Sequence, residues 1–397
     1  MSKESKVCSP TITPAARVSS VQEYYFSRKL KEIAAMNAAG KQVLNLGIGS
    51  PDLPPSEGVI ETICEHARLP HEHGYQPYVG IPELRQAFAD WYGKYYGVSL
   101  DPSTEIQPLI GSKEGILHVS LAFLNAGDGV LLPNPGYPTY RSVSSLLGAD
   151  IQEYELTEAN GWLPDFEELE QRDLSKVKLM WVNYPHMPTG TNATMALFER
   201  LVAFGRKHGI VICNDNPYSF ILNDKPLSIL AVPGAKDICI EMNSLSKSHN
   251  MSGWRIAMLA SNEQFIQWVL RVKSNVDSGQ FKPMQYAAAV ALHAPKGWYE
   301  QQNALYARRR QFAEAILNAL DCRFDPQQVG LFLWAKIPDT AQDGESLCER
   351  VLHGANVFLT PGFIFGTQGE RYIRISLCCN EAMFAEALNR INQLKQK

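Results

Sequence analysis

The stretch Ile238-Cys239-Ile240-Glu241-Met242-Asn243-Ser244-Leu245-Ser246-Lys247-Ser248-His249-Asn250-Met251-Ser252-Gly253-Trp254-Arg255-Ile256-Ala257-Met258-Leu259-Ala260 sets a lysine between two short apolar runs. Aliphatic runs of this length, bounded by small polar residues, read as buried strands. A surface lysine sits among other charges and helix formers. Lys247 instead has Ser244, Ser246 and Ser248 around it and Arg255 eight residues on. An ammonium between core strands is costly without a partner. The cost is removed if the nitrogen is held as an imine to a carbonyl compound.

The same strand rhythm extends back to about Gln107. Strand-like runs at Gln107–Ile110, Gly129–Leu132, Val177–Val182, Ile210–Cys213, Ile238–Met242 and Ile256–Ala260 alternate with helical patterns at Lys113–Leu124 and Thr194–Lys207. Such alternation predicts an α/β fold, a mostly parallel sheet sandwiched by helices. From about residue 290 the rhythm changes. A helix near Tyr299–Leu320, strands at Gly330–Ile337 and Tyr372–Leu377 and a closing helix from Glu381 predict a smaller α+β domain. The expected partition is an N-terminal arm and small-domain segment over 1–45, a large cofactor domain over 46–290 and a small C-terminal domain over 291–397.

Bulk properties narrow the function classes. The 397 residues are 45% hydrophobic and 20% charged, a composition that fits a soluble protein with a large core. A formal net charge of −4 gives no electrostatic case for nucleic acid, and no apolar run approaches the length that spans a bilayer. The opening Met1-Ser2-Lys3-Glu4-Ser5-Lys6 has no apolar signal core behind it, so a cytoplasmic chain is expected. Eight cysteines, from Cys8 to the Cys378-Cys379 pair, lack metal-ligand spacing and read mostly as buried thiols. His71-Glu72-His73 reads as a solvated loop, because a zinc site needs three or four convergent ligands.

Ligands of open α/β sheets bind beyond the carboxyl ends of the strands. Gly111-Ser112-Lys113 opens a helix there and offers free N–H groups and a hydroxyl to an anion such as phosphate; taken alone, Ser112 also reads as a plain helix cap. Tyr137, between Gly136 and Pro138, has a rigid backbone and a ring able to stack on a flat cofactor. Asp215, closing an apolar strand, can hold a positive nitrogen in a low-dielectric site, or simply cap the next loop. With the imine-forming Lys247, these are the parts of a pyridoxal 5'-phosphate (PLP) site.

The chain resembles class I/II aminotransferases of the aspartate-aminotransferase fold (fold type I) over nearly its whole length, from Asn45-Leu46-Gly47-Ile48-Gly49-Ser50-Pro51-Asp52 to Tyr372-Ile373-Arg374-Ile375-Ser376. The carrying motifs are Ser244-x-x-Lys247 with Arg255 behind it and Asp215-x-x-Tyr218 before it. The resemblance implies that Lys247 forms the imine and shuttles the proton, that Asp215 pairs with the pyridine nitrogen, and that Tyr218 donates to the ring's phenolic oxygen. It implies Ser112, the Lys113 backbone, Ser244 and Arg255 on the phosphate, Tyr137 on the ring face, and Arg374 with the Gly49 backbone on the substrate α-carboxylate. Tyr75 matches a tyrosine that reaches the neighbouring subunit's phosphate, with Tyr78 as the competing candidate. That match implies a homodimer with its active site at the subunit interface.

One position departs. Where the family loop reads Asn-Pro-Thr-Gly, this chain reads Met187-Pro188-Thr189-Gly190. A thioether cannot donate a hydrogen bond, which leaves Tyr218 as the main donor to the phenolic oxygen, with His186 and Asn183 as alternates. The implied reaction is ping-pong transfer of an amino group between an amino acid and a 2-oxo acid. Its rivals are β-elimination (a C–S lyase) on the same site and a non-catalytic ligand sensor on the same fold. Tyr24-Tyr25-Phe26 either caps the site, favouring apolar side chains, or anchors the arm.

Overall fold

The computed structural model describes residues 12–21 and 23–396; Cys8 and the opening residues of the chain lie outside this range. The central sheet has seven strands in the order Ile106–Leu109, Ala257–Ala260, Cys239–Ser244, Val211–Asp215, Val177–Val182, Gly129–Asn134, Asp150–Glu155. Five of its strands, Ile106–Leu109, Gly129–Asn134, Val211–Asp215, Cys239–Ser244 and Ala257–Ala260, are buried at every residue, as expected of strands covered on both faces by helices.

Strand direction decides what reaches the site. All strands run the same way except Ala257–Ala260, which is antiparallel to both of its neighbours. Parallel strands deliver their carboxyl ends to one edge of the sheet. A reversed strand delivers its beginning to that edge, so Arg255, two residues before Ala257, arrives beside Ser112 and Ser244 although it precedes its strand. The register fixes this, with Ala257 opposite both Leu109 and Ser244.

Helices pack on both faces with local stop and start signals. Thr194 caps the helix Met195–His208 by accepting from the Leu197 N–H, and Gly209 ends it in the left-handed conformation. Asn262 does the same at the start of Glu263–Lys273. A second, antiparallel sheet orders Thr360–Pro361, Tyr372–Ser376, Phe332–Lys336 and Arg323–Phe324. In its strand Tyr372–Ser376, Ile373 and Ile375 are fully buried in the hydrophobic core of this sheet. Arg374 alternates to the opposite face, opposite Trp334 and Thr360.

A seam joins the two sheets. Leu44–Asn45 pairs in parallel with Val357–Phe358, and the chain then passes through Leu46–Gly49, where Leu46 accepts from the Ser376 N–H at 2.8 Å. A Cβ at Gly47 would meet the Phe358 ring and one at Gly49 the Phe332 ring, so only glycine lets this segment pass so close. Around His71-Glu72-His73 the chain forms a short turn with both histidines exposed, but Glu72 is buried and bonded to His66 Nδ1 at 2.9 Å. The seven cysteines among the described residues are free thiols, most of them buried. No helix among the described residues is long and apolar enough to cross a membrane.

Candidate active site

Lys247 lies in a single helical turn, Leu245–Ser248, that opens as the strand Cys239–Ser244 ends; Ser244 caps it by accepting from the Ser246 N–H. The Lys247 ammonium nitrogen donates to the Gly49 carbonyl at 2.5 Å. Burial, opposed by the Cys378 and Asp215 side chains and aided by Arg374 and Arg255, holds this amine below the ordinary lysine value. A base that gives up its proton more readily than a free lysine thus stands at the mouth of the seam.

Lys247 lines a cavity of about 420 Å³ that also receives Ser112, Tyr137, Asp215, Tyr218, Ser244 and Arg255 from the ends of the central strands. Gly49 and Arg374 reach it from the seam and the second sheet, and Lys113 from the helix Ser112–Phe123. Of the residues assigned from the resemblance to the cofactor or the substrate, Tyr75 is elsewhere, and the alternates Tyr78 and His186 also lie outside the lining. The Tyr75 ring is 95% exposed, and Tyr78 on the same loop is also exposed.

The polar groups divide into two ends. At one end, the helix Ser112–Phe123 starts at Gly111 with no side-chain cap, so Ser112 is its first residue and not its cap. The early N–H groups of a helix have no intrahelical partner, and the Ser112 hydroxyl is buried without one. Arg255 closes this end: a Cβ on Gly111 would strike its guanidinium, which is anchored by donation to the Ser252 carbonyl at 2.8 Å. Unpaired N–H groups, a free hydroxyl and an arginine suit a phosphate.

At the other end stands Asp215, with one oxygen accepting from the Tyr140 hydroxyl at 3.2 Å and the other buried without a partner. Burial pushes its carboxyl up to about 6, opposed by the nearby Ser112 and Tyr140 hydroxyls and by Lys247, so Ser112 stands between the two ends. A cationic ring nitrogen at the free oxygen would satisfy it and restore its charge. Tyr218 stays a donor because burial pushes its hydroxyl well above the usual range. The orphaned Ser112 and Asp215 oxygens, the rings and the lysine fit PLP.

Tyr140 was not singled out in the sequence, though it follows Tyr137 by three on the helix Pro138–Leu147. It stacks on Trp181 at 5.1 Å between centroids. Tyr24 and Phe26 line the cavity, whereas Tyr25 packs edge-on to Phe363.

Met187 also lines the cavity, and its sulfur lies 3.3 Å from Arg374 Nη1. Of the two alternates for its missing donor, Asn183 is engaged, and His186 does not line the cavity. Asn183 donates to the Asp215 carbonyl and accepts from the Met187 N–H at 2.8 Å. His186 pairs through Nδ1 with Thr189 Oγ1 at 2.8 Å, and burial lowers its pKa to about 3.

Arg374 donates Nη2 to the Gly47 carbonyl at 3.0 Å and leaves Nε without a partner. Its guanidinium carbon is 3.9 Å from the Phe332 ring centre, 4.7 Å from Phe365 and 5.9 Å from Phe26. Burial lowers its pKa to about 10, still charged at neutral pH.

The family model for aminotransferases of class I and II matches residues 41–391. The LL-diaminopimelate aminotransferase of Nitratidesulfovibrio vulgaris is 40% identical over 383 residues, covering 96% of this chain and 98% of that protein. The enzyme of the same name from Dehalococcoides mccartyi is 40% identical over 382 residues, with the same coverage. Among solved structures, BacF from Bacillus subtilis superposes with a TM-score of 0.92 at 36% identity, covering 97% of this chain and 98% of that one. An aminotransferase from Staphylococcus aureus gives 0.87 at 30%, covering 96% and 99%. A matched family model of this extent, on a cavity that fits PLP, places the chain in the class I and II aminotransferases, PLP-dependent enzymes that move amino groups between amino acids and 2-oxo acids.

Proposed function

We propose that transamination in this chain is carried by Lys247 as the proton-moving base and by Arg374 as the grip on the substrate α-carboxylate. The observation that carries the reading is one cavity in which a lysine with a depressed pKa, a buried carboxylate with a free oxygen and a buried arginine with an unpartnered Nε converge. PLP, when bound, supplies an electron-withdrawing ring that makes the substrate α C–H acidic.

Asp215 would hold the ring nitrogen protonated, Tyr218 would donate to the phenolic oxygen and Tyr137 would cover the ring face. Ser112, the Lys113 backbone, Ser244 and Arg255 would bind the phosphate. Arg374 would fix the substrate carboxylate, with the Gly49 backbone beside it, so that the α-proton stands within reach of Lys247. Lys247 would take that proton and hold it for return. Water supplies the carbonyl oxygen of the 2-oxo acid that leaves, its nitrogen stays behind in the site, and a second 2-oxo acid takes that nitrogen up with release of water.

The reading includes a homodimer in which Tyr75 completes the partner subunit's phosphate site. It is supported by the nearly full exposure of Tyr75 on a loop whose backbone is tied down by Gln107 Nε2, bonded to the Tyr78 carbonyl at 2.8 Å. The large unit over 46–290, the small one over 291–397 and a cytoplasmic location, which free thiols suit, belong to the same reading. The relatives' name puts LL-diaminopimelate among the amino donors to be tried.

Mixing the PLP-loaded protein with an amino acid alone tests the reaction. Stoichiometric, single-turnover loss of the cofactor band with one 2-oxo acid per site is expected, and Lys247→Ala should abolish it. Continuous release of ammonia and 2-oxo acid without an acceptor would mark elimination and overturn the reading.

A further inference from the structure

Resting on the transamination reading, we infer that the amino acid this site selects carries an apolar, preferably aromatic, side chain, and that Phe26 and Phe332 are the residues that select it. The cavity wall not used by cofactor groups is mostly apolar: Tyr24, Phe26, Ile48, Met187, Phe332 and Phe365 form it, and its polar members, Asn183, Ser246 and Ser252, carry no charge. Three of these rings box the guanidinium of Arg374, with Phe332 in face contact at 3.9 Å from its centre. A substrate whose α-carboxylate sits on Arg374 therefore starts its side chain among the same rings.

These rings are fixed in place. Phe26 packs edge-on to Phe358 at 6.5 Å, and Tyr24 lies 5.6 Å from Phe26, so the helix Tyr25–Ala38 brings a wall that the seam strand Val357–Phe358 holds. Phe332 packs edge-on to Tyr218 at 5.8 Å. Met187 extends the apolar surface where an amide would have made it polar.

The charges on the wall point the same way. Among the described residues of this subunit, Asp215 is the one acidic residue lining this cavity, and it belongs to the ring-nitrogen end. A distal ammonium, as in diaminopimelate or lysine, meets aromatic carbon and no free carboxylate among them. Of the cations, Lys247, Arg255 and Arg374 are committed. Lys113 is exposed, with its Nζ 5.2 Å from the Tyr24 ring centre and 6.0 Å from that of Tyr137. A flat apolar side chain gains edge and face contacts on this wall, and a charged one loses its hydration there.

The test uses the PLP-loaded enzyme and single-turnover conversion of the cofactor by L-phenylalanine, L-tyrosine, L-leucine, L-methionine, L-aspartate, L-glutamate, L-lysine and LL-diaminopimelate. The apolar group should lead every charged amino acid by about tenfold or more in rate per concentration. Phe26→Ala should lower the aromatic rates by about tenfold and the leucine rate clearly less, with the cofactor spectrum retained. Phe332→Leu gives a second reading of the same wall. LL-diaminopimelate or an acidic amino acid ranking first, or equal loss for leucine and phenylalanine in Phe26→Ala, would overturn the inference while leaving transamination intact. Failure of every amino acid to convert the cofactor would instead sink the transamination reading beneath it.

Discussion

Arg374 Nη1 points at the sulfur of Met187 at 3.3 Å, a contact between a buried cation and one of the weakest acceptors in proteins. The pair sits where the carboxylate grip and the cofactor's phenolic oxygen are expected to meet; Asn183 is engaged elsewhere and His186 does not line the cavity. Tyr218 would then be the main donor to that oxygen, which would leave the oxygen basic. Met187→Asn restores a donor and should lower the pKa of the Lys247–cofactor chromophore by on the order of one unit. Spectral pH titration of the loaded wild type and variant checks this; equal values, or a higher value in the variant, would refute it.

Asp215 makes stability depend on pH when no cofactor is bound. Its folded pKa is raised to about 6 from an ordinary 3.8, because burial disfavours the charge. The folded state then holds a proton that the unfolded chain has released, so stability falls as pH rises from about 4 through about 6. Asp215→Asn removes the titration. Freed of cofactor, the variant should match the wild type near pH 4 and exceed it above pH 6 by on the order of 2–3 kcal/mol. Urea unfolding across that window is the measurement. Loaded with cofactor, the same variant should lose roughly a hundredfold or more in kcat.

Tyr75 contributes little to its own subunit, since its ring is 95% exposed. Tyr75→Ala should leave the unfolding midpoint within about 1 °C, because exposed sites rarely shift stability, yet weaken PLP binding by about tenfold. Mixing Tyr75→Ala with Lys247→Ala should regenerate activity by forming one intact site per hybrid dimer. Unaltered PLP affinity, or no recovery on mixing, would exclude the shared site.

Asp52 holds the far side of the seam. It forms a two-pronged pair with Arg309 at 2.7 and 2.8 Å, and Arg309 is 2% exposed. Asp52→Ala strands a buried guanidinium with only the Leu377 carbonyl at 3.1 Å. Chemical denaturation should show a loss of about 3 kcal/mol. Because Gly49 is three residues away and accepts from Lys247, KM should also rise. A change below about 1 kcal/mol would mean that the pair is hydrated and dispensable.

Most of the central sheet was legible because its strands are short aliphatic runs punctuated by turn residues, and both signals are local. The edge strand Asp150–Glu155 was not among the runs read from the sequence. Its residues Asp-Ile-Gln-Glu-Tyr-Glu are mostly half-buried or exposed, since an edge position has fewer neighbours to bury against. Tyr140 was equally silent. Its hydroxyl becomes meaningful only when the helix Pro138–Leu147 and the strand Val211–Asp215 are side by side.

The sequence by itself determined which groups stand at the strand ends: a lysine, a carboxylate, a tyrosine and a turn suited to an anion, each placed by strand length and turn residues within a few positions. The tertiary structure decided how these groups meet and what else faces them. The reversed strand Ala257–Ala260 brought Arg255 beside Ser112 and Ser244. Two glycines let the seam pass the Phe358 and Phe332 rings. Packing of the second sheet carried Arg374 to Met187 and Phe26 to Arg374, contacts spanning nearly half the chain or more. Contacts at such separations depend on how whole layers bury their apolar faces, and no local pattern along the chain records that.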